Sequence, residues 1–231
     1  MPDGPIPPKE SMIPPQPVPA GASAFSRQMH GLMDGQPKDE ATVAKALEGF
    51  DKIFESIAAG LYSLASMLVG EGEESMRLVE TAVANAEVSV CHDPKAACKS
   101  SQRALCTAAL ALLAKRSPGS LAAPEGLAPA ETCIEDDDLA SAGISTEELD
   151  NMIAGPDRDR VRNWLSSLPM ALRTVFVLRA VAGLTAVETA ALLKAHGGPQ
   201  ATEWTPEAAR EVFRQGLCSL ASQLIHASAE R

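Results

Sequence analysis

Aromatic residues and long apolar runs are both scarce in this chain. Phe, Trp and Tyr make up 3% of its 231 residues, although 45% of them are hydrophobic. Aromatic and β-branched side chains are typical of strands, whereas Ala-rich apolar sequence favours helices. The longest apolar run, Ala108 to Ala114, is far shorter than the roughly 20 residues that cross a bilayer. We therefore predict an all-α fold and no membrane partner.

Cysteine usage gives no disulfide framework and no metal site. The chain has five cysteines, an odd number without paired spacing, which is typical of a reducing compartment. The gaps between Cys91-His92, Cys98 and Cys106 are wider than those of zinc sites. We interpret Cys98 and Cys106 as small apolar residues on one buried helix face. The start of the chain also lacks the basic-then-apolar pattern of a secretion signal, so we expect a cytoplasmic protein.

Signals of catalysis are missing as well. Serines are scattered, with no His and acid at motif spacing, and His196 is interpreted as a solvated loop residue. No glycine-rich phosphate loop follows a strand, because no strand is predicted. We expect no catalytic residue, no metal and no cofactor, and hence a protein that is not an enzyme.

The charge of the chain is unevenly distributed. The net charge is −10, which does not suit a general nucleic-acid binder. Residues 160–231 nevertheless hold eight basic and five acidic residues, a net charge of +3, and the preceding 159 residues carry −13. Any contact with nucleic acid is therefore expected at the C-terminal end, although +3 is weak for a phosphate-binding surface.

Apolar periodicity divides the chain into four segments. Residues 1–38 contain nine prolines and predict a disordered tail. Residues 39–116 predict a helical domain, residues 117–159 an acidic flexible linker, and residues 160–228 a second helical domain.

Three helices are predicted in residues 39–116. The first begins near Asp39, ends at the glycines 70 and 72, and has Ser66 on its outer face. The second is predicted from Glu73 to Val90 and the third from Ala96 to Arg116. The apolar positions assigned to the inner face of the first helix are Phe50, Ile53, Phe54, Ile57, Leu61, Leu64 and Leu68; those of the second are Met76, Val79, Val83 and Ala86.

The C-terminal segment has the outline of a helix-turn-helix. Pro169 separates two short helices, and Gly183 stands where a helix end favours positive φ. Thr185 and Glu188 form a capping-box pattern that opens a third helix. A long loop, Lys194 to Glu203, is then expected before Thr205-Pro206 starts the last helix.

Both helical segments resemble the sigma-70 family of bacterial RNA polymerase sigma factors, in particular the extracytoplasmic-function group. In the C-terminal segment the resemblance to region four rests on Leu168-Pro169, Val175-Phe176, Leu178-Arg179, Gly183-Leu184-Thr185 and Glu188. In the N-terminal segment the resemblance to region two rests on Phe50, Ile53-Phe54, Leu61-Tyr62, Leu64-Ala65, Leu68, Gly70, Leu78-Val79-Glu80 and Asp93-Pro94.

The resemblance implies a function in transcription initiation. Leu78, Val79 and Glu80 would bind core RNA polymerase, and Thr185, Thr205, Arg210 and Arg214 would contact promoter DNA. An anti-sigma factor is a further candidate partner. The resemblance also supplies an alternative to the flexible tether for residues 117–159, in which the acidic residues of the linker mimic nucleic acid. Arg210 and Arg214 lie four residues apart on one helix face, but pairing with Glu207 and Glu211 explains them equally well.

Two departures from the family pattern keep a second function open. The helix that opens promoter DNA in the family carries aromatic and basic residues, but the segment from Ala96 to Arg116 has no aromatic. The last helix is also poor in basic residues. The first interpretation is a divergent sigma factor; the alternative is a sigma-like protein that binds polymerase or a regulator without opening promoters.

Overall fold

The computed structural model describes residues 40–86, 93–124, 134, 137–156 and 158–229, and only the backbone of 40–51, 53, 54, 94, 141, 154 and 226–229. In these ranges the chain is helical and has no strand, so the all-α prediction is confirmed. The Pro-rich tail predicted for 1–38 lies outside them. The helices are α1 (Glu40–Val69), α2 (Glu73–Ala84), α3 (Pro94–Arg116), α4 (Thr146–Ala154), α5 (Arg158–Ser167), α6 (Met170–Phe176), α7 (Ala186–His196) and α8 (Pro206–Ala229).

Helix α1 contributes a leucine row to the core. Leu61, Leu64 and Leu68 are at most 1% exposed, as their helical spacing predicts. The helix ends where Gly70 adopts φ +95°, a conformation that residues with a Cβ rarely adopt. The predicted inner positions Phe50, Ile53 and Phe54 lie outside the described side chains.

Truncating Leu64 tests this packing. Leu64→Ala is expected to lower the free energy of unfolding by about 2–5 kcal/mol, because it leaves a cavity at a fully buried position. Denaturant unfolding measures the loss. The matched control is Ser56→Ala on the exposed side of α1, with an expected change within about 0.5 kcal/mol. Equal losses from the two variants would contradict the packing of α1 through Leu64.

The prediction that Ser66 lies on the outer face of α1 is wrong. Its side chain is 8% exposed, donates to the Ser63 carbonyl at 2.8 Å, and accepts from Nη2 of Arg162 at 3.3 Å. Periodicity within one helix could not reveal this, because the covering residue comes from α5.

Helix α2 is rotated relative to the prediction. Ser75, Leu78 and Ala82 are its buried residues, Val79 and Val83 are half-buried, and Met76 is 52% exposed. The expectation that Met76 faces inward is therefore wrong. The buried hydroxyl of Ser75 donates to the carbonyl of Gly70, so a polar residue takes the position facing the turn after α1.

Helix α3 completes the N-terminal group of helices, α1 to α3. Asp93 is its N-cap: Oδ1 accepts from the backbone N–H groups of Lys95 and Ala96, both at 3.0 Å, and Pro94 follows at the first helical position. Leu105, Cys106, Ala109 and Leu113 are buried. Burial raises the pKa of the Cys106 thiol to about 12, so this cysteine stays protonated, as an apolar core residue does.

The C-terminal group of helices, α5 to α8, contains an aromatic cluster. The rings of Trp164 and Phe176 meet edge to face with centroids 5.0 Å apart, and Phe213 lies 5.7 Å from Phe176. The indole N–H of Trp164 donates to Oγ of Ser219 at 3.0 Å. A π-helical turn, Val177–Val181, continues α6. Trp164 thus serves the core, as its place on the apolar face predicts.

Replacing either of two helical glycines with alanine tests the packing, and the two replacements are expected to change stability in opposite directions. A Cβ on Gly216 of α8 would lie 2.9 Å from Cδ2 of the buried Phe176, so Gly216→Ala is expected to cost about 1–3 kcal/mol of stability. A Cβ on Gly60 of α1 would meet no atom within 4 Å, so Gly60→Ala is expected to stabilise by about 0.4–1 kcal/mol. Denaturant unfolding of both variants checks the signs. A stabilising Gly216→Ala would contradict the close approach of α6 and α8.

The two helical groups are in contact and share one apolar cluster. Helix α3 packs against α7, and α1 contacts α5 and the π-helical turn. Ion pairs cross the same boundary: Arg162 of α5 pairs with Glu71, and Nη1 of Arg103 on α3 lies 3.7 Å from Oε1 of Glu188 on α7. The domain boundaries 39–116 and 160–228 remain predictions.

In the part of 117–159 that the structure describes, the expectation of an unstructured linker is wrong. Helix α4 begins with a full capping box, in which Ser145 accepts from the Glu148 N–H at 3.1 Å and Glu148 accepts from the Ser145 N–H at 2.8 Å. The buried apolar residues of this segment are Leu121, Ile134, Ile144, Leu149 and Ile153. Although the segment is rich in acidic residues, it has enough apolar residues to pack into the core.

The long loop predicted from Lys194 to Glu203 is also largely ordered. Helix α7 extends to His196, and Pro199–Ala201 forms a 3-10 turn. Ala201 and Trp204 are completely buried, and the indole N–H of Trp204 donates to the Leu121 carbonyl at 2.7 Å. This turn is therefore a packed joint between residues 117–124 and the last helix.

Cysteine pairing differs from the expectation. Cys98 and Cys106 are free, whereas Cys218 of α8 is disulfide-bonded. The odd cysteine count therefore did not show that every thiol stays reduced. Among the helices that the structure describes, none combines the length and the apolar character needed to span a bilayer.

Candidate nucleic-acid interface

Helices α7 and α8 meet through a turn, and caps fix where each begins. Gly183 has φ +66°, and Thr185 then opens α7: its hydroxyl accepts from the Glu188 N–H at 3.2 Å while Glu188 accepts from the Thr185 N–H at 2.9 Å. Thr205 caps α8 by accepting from the Ala208 N–H at 3.1 Å. The predicted capping box and N-cap are confirmed. Both threonines are exposed, at the two helix starts.

The cap of α7 also sets the charge state of Glu188. Hydrogen bonds from the backbone and hydroxyl of Thr185, followed by the nearby cations Arg103 and Lys99, hold the pKa of this carboxyl below its ordinary value. Glu188 is therefore ionised at neutral pH. Its stabilising contribution is present above the pKa of the unfolded carboxyl and is lost as the pH falls through the lower folded value.

Arg210 and Arg214 share one face of α8, as their spacing predicts. Arg210 is half exposed; its Nε lies 3.7 Å from Oδ2 of Asp137, and its Nη1 lies 3.8 Å from Oε1 of Glu207. Arg214 is less exposed, at 24%, and its Nε donates to the Ile134 carbonyl at 2.9 Å while Nη1 lies 3.3 Å from Glu211. Pairing within the helix was predicted from the sequence, whereas the contacts with Ile134 and Asp137 were not.

Arg179 is a third member of this cluster that the sequence reasoning did not place there. Its Nη1 donates to Oδ2 of Asp137 at 2.6 Å, and its Nη2 donates to the Asp137 carbonyl at 3.2 Å. Its guanidinium lies 4.5 Å above the ring of Phe213, and the side chain is only 14% exposed. We call Arg179, Arg210 and Arg214 the arginine cluster.

An open cleft of about 600 Å³ adjoins the arginine cluster. It runs between the chain from Asp137 to Thr146 and the turn before α7, and Arg179, Thr185 and Phe213 line it. Thr185 and Arg179 therefore face one solvent space. Arg210 is joined to the cleft through Asp137, which also lines it.

The residues predicted to bind polymerase lie on α2 and do not belong to the arginine cluster. Leu78 is 7% exposed and faces the core, Val79 is half-buried, and Glu80 is exposed. Leu78 thus supports the helix from inside, which leaves Val79 and Glu80 to meet a partner. Met76 and Arg77 on the same helix are exposed as well.

The described residues contain no group of three or more His, Cys, Asp or Glu placed to hold a metal ion. Cys91 and His92 lie outside these residues. No protein-family model, no curated protein and no solved structure matches this chain.

Proposed function

We propose that this chain is a divergent, non-catalytic sigma-type transcription factor, which binds DNA through α7 and α8. The observation that supports it best is the pair of capped helices with Arg210 and Arg214 on one partly exposed face of the second helix. Arginine binds phosphate and guanine through fixed, bidentate donors. In this proposal Thr185 and Thr205, which are exposed at the helix starts, add contacts to the DNA backbone.

In this proposal the chain acts in the cytoplasm as a subunit of bacterial RNA polymerase. Glu80 and Val79 of α2 contact the core enzyme, and Leu78 holds that helix in place. An anti-sigma factor is a candidate regulator. The small positive charge of residues 160–231 implies weak binding to DNA alone, so useful affinity comes from polymerase holding α8 near the promoter.

A reconstitution experiment tests this function. The purified chain is mixed with bacterial core polymerase, and the assay measures co-elution and promoter-dependent transcripts. Co-elution with specific transcripts supports a sigma factor. Absence of co-elution together with absence of DNA binding contradicts the proposal.

The second candidate is a sigma-like protein that binds polymerase or a regulator without opening promoters. Two observations favour it: α3 has no aromatic residue to receive an unstacked base, and the arginine cluster already contacts carboxylates of its own chain. Co-elution with polymerase, accompanied by inhibition of transcription directed by another sigma factor, would select this candidate.

A further inference from the structure

The turn between α7 and α8, residues 197–205, is longer than the turn that usually joins the two helices of a DNA-binding helix-turn-helix. Near the end of this turn stands Trp204, directly before Thr205, the N-cap of α8. The side chain of Trp204 is completely buried, and its indole N–H donates to the Leu121 carbonyl at 2.7 Å. The start of α8 is therefore held by a residue that lies far upstream of both helices in sequence.

The Leu121 carbonyl belongs to a fixed part of the fold. Helix α3 ends at Arg116, and the chain turns at once, with the Ser120 N–H donating to the Ser117 carbonyl at 3.1 Å. Leu121 itself is buried in the shared core. Helix α3, which precedes this turn, packs against α7. The acceptor of the hydrogen bond is thus fixed relative to α7, and through Trp204 it fixes the start of α8 as well.

We propose that Trp204 is a positioning residue for α8, and that the turn after α3, residues 117–121, is therefore part of the unit that reads DNA. This inference rests on the proposed DNA-binding function of α8. Trp204 is completely buried and touches no DNA itself. It acts through Thr205 and Arg210, because the position of both depends on where α8 starts. The DNA-reading unit is then larger than the predicted domain 160–228.

The later part of α8 is held independently of Trp204. A Cβ on Gly216 would lie 2.9 Å from Cδ2 of Phe176, and Leu217 is buried beside it. From Gly216 back to Thr205 the helix runs for about 16 Å, and a tilt of about 5° around Gly216 would move Thr205 by about 1.4 Å. Hydrogen bonds to base edges tolerate only a few tenths of an ångström. Loss of the contact at Trp204 therefore changes which bases α8 can read.

A stabilising role and a positioning role have different effects on DNA binding. If Trp204 only stabilises the fold, its replacement lowers the folded fraction and weakens binding to every duplex alike. If Trp204 positions α8, contacts to bases are lost, whereas contacts to phosphates, which carry no sequence information, largely remain. The specificity ratio, defined as the Kd for an unrelated duplex divided by the Kd for the preferred duplex, distinguishes the two roles.

The first test compares the full chain with Trp204→Phe, which keeps the ring and removes the donor. The matched control is Trp164→Phe, which also removes an indole hydrogen bond of a buried tryptophan, here to Ser219 beyond Gly216. A duplex pool with a random centre is enriched on the wild-type chain at low salt to give the preferred duplex, and a shuffled duplex of the same composition is the reference. Fluorescence anisotropy gives both Kd values, and circular dichroism verifies that each variant is folded.

A second pair of variants changes the other side of the contact. Leu121→Ala loosens the segment that carries the acceptor, at a position outside the helix-turn-helix in sequence. Leu64→Ala truncates an equally buried leucine of α1 and controls for the loss of core packing. The specificity ratio is measured for both with the same two duplexes.

We expect Trp204→Phe to lower the specificity ratio about tenfold, which corresponds to roughly one lost base contact, and to leave the Kd for the shuffled duplex within about threefold. Leu121→Ala is expected to lower the ratio as well. Trp164→Phe and Leu64→Ala are expected to leave the ratio within about twofold of the wild type, because neither changes the start of α8.

An unchanged ratio for folded Trp204→Phe, or equal losses for Trp204→Phe and Trp164→Phe, would overturn the positioning role and leave the DNA-binding function standing. An unchanged ratio for folded Leu121→Ala would remove residues 117–121 from the reading unit. If the wild-type chain showed no preference among duplexes, both alone and with core polymerase, the proposed function would fail, and the inference with it.

Discussion

Replacing Trp204 with alanine is expected to lower the free energy of unfolding by about 3–5 kcal/mol. The side chain is completely buried at the turn before α8, so truncation leaves a large cavity. It also removes the hydrogen bond from the indole to the Leu121 carbonyl. That carbonyl would then be left without this donor, which adds a desolvation cost to the lost packing. Chemical denaturation followed by circular dichroism measures the change.

A second variant separates the loss of the hydrogen bond from the loss of packing, and a third serves as a control. Trp204→Phe keeps most of the ring volume and loses the donor, so it is expected to cost about 1–3 kcal/mol. Glu203→Ala, at the exposed neighbouring position, serves as the control and should stay within about 0.5 kcal/mol of the wild type. If Trp204→Ala were as mild as Glu203→Ala, the packed joint between residues 117–124 and α8 would not exist in solution.

The second large effect concerns the arginines of α8. Under the proposed function, Arg210→Ala combined with Arg214→Ala is expected to abolish promoter selection by the assembled polymerase and to leave binding to the core enzyme intact. Each lost contact to a base is expected to cost about 1–3 kcal/mol of DNA binding. Promoter-dependent transcripts and co-elution with core polymerase, measured on the same preparation, check both halves of this expectation.

The matched control removes two arginines elsewhere. Arg158 and Arg160 on α5 are exposed, and Arg158 pairs with the neighbouring Asp159. Their double alanine variant changes the net charge equally but should direct transcription like the wild type. If the Arg210 and Arg214 variant also retained promoter selection, α8 would not be the reader. The protein that binds polymerase without opening promoters would then be the better interpretation.

Local signals predicted the helix starts because caps depend on neighbours in sequence. Thr185 with Glu188, Thr205 before Pro206, and Gly183 at positive φ all act within a few residues. The buried row of α1 could be predicted for the same reason, because the spacing of Leu61, Leu64 and Leu68 puts all three on one helix face. The resemblance to sigma factors, by contrast, remains an expectation about function.

Features that depend on residues distant in sequence could not be predicted. Arg162 covers Ser66, and Leu121 receives the indole of Trp204, but no spacing within either segment indicates these pairs. The rotation of α2 depends on which neighbour its faces meet. Helix α4 could have been found, because Ser145 and Glu148 have capping-box spacing and precede Leu149 and Ile153. The acidic residues around this helix give the segment the composition of a flexible linker.

The contact of α3 with α7 has a consequence for the synthesis of the chain. The N-terminal helices leave the ribosome first, so α1 to α3 emerge before α7 has been made to cover α3. The side of α3 around Ala114, which later meets the turn at Gly198, faces solvent in that interval. Apolar surface that waits for a later partner is prone to aggregate or to recruit a chaperone. A stop codon before residue 186 would therefore give a truncated product in which this surface stays uncovered.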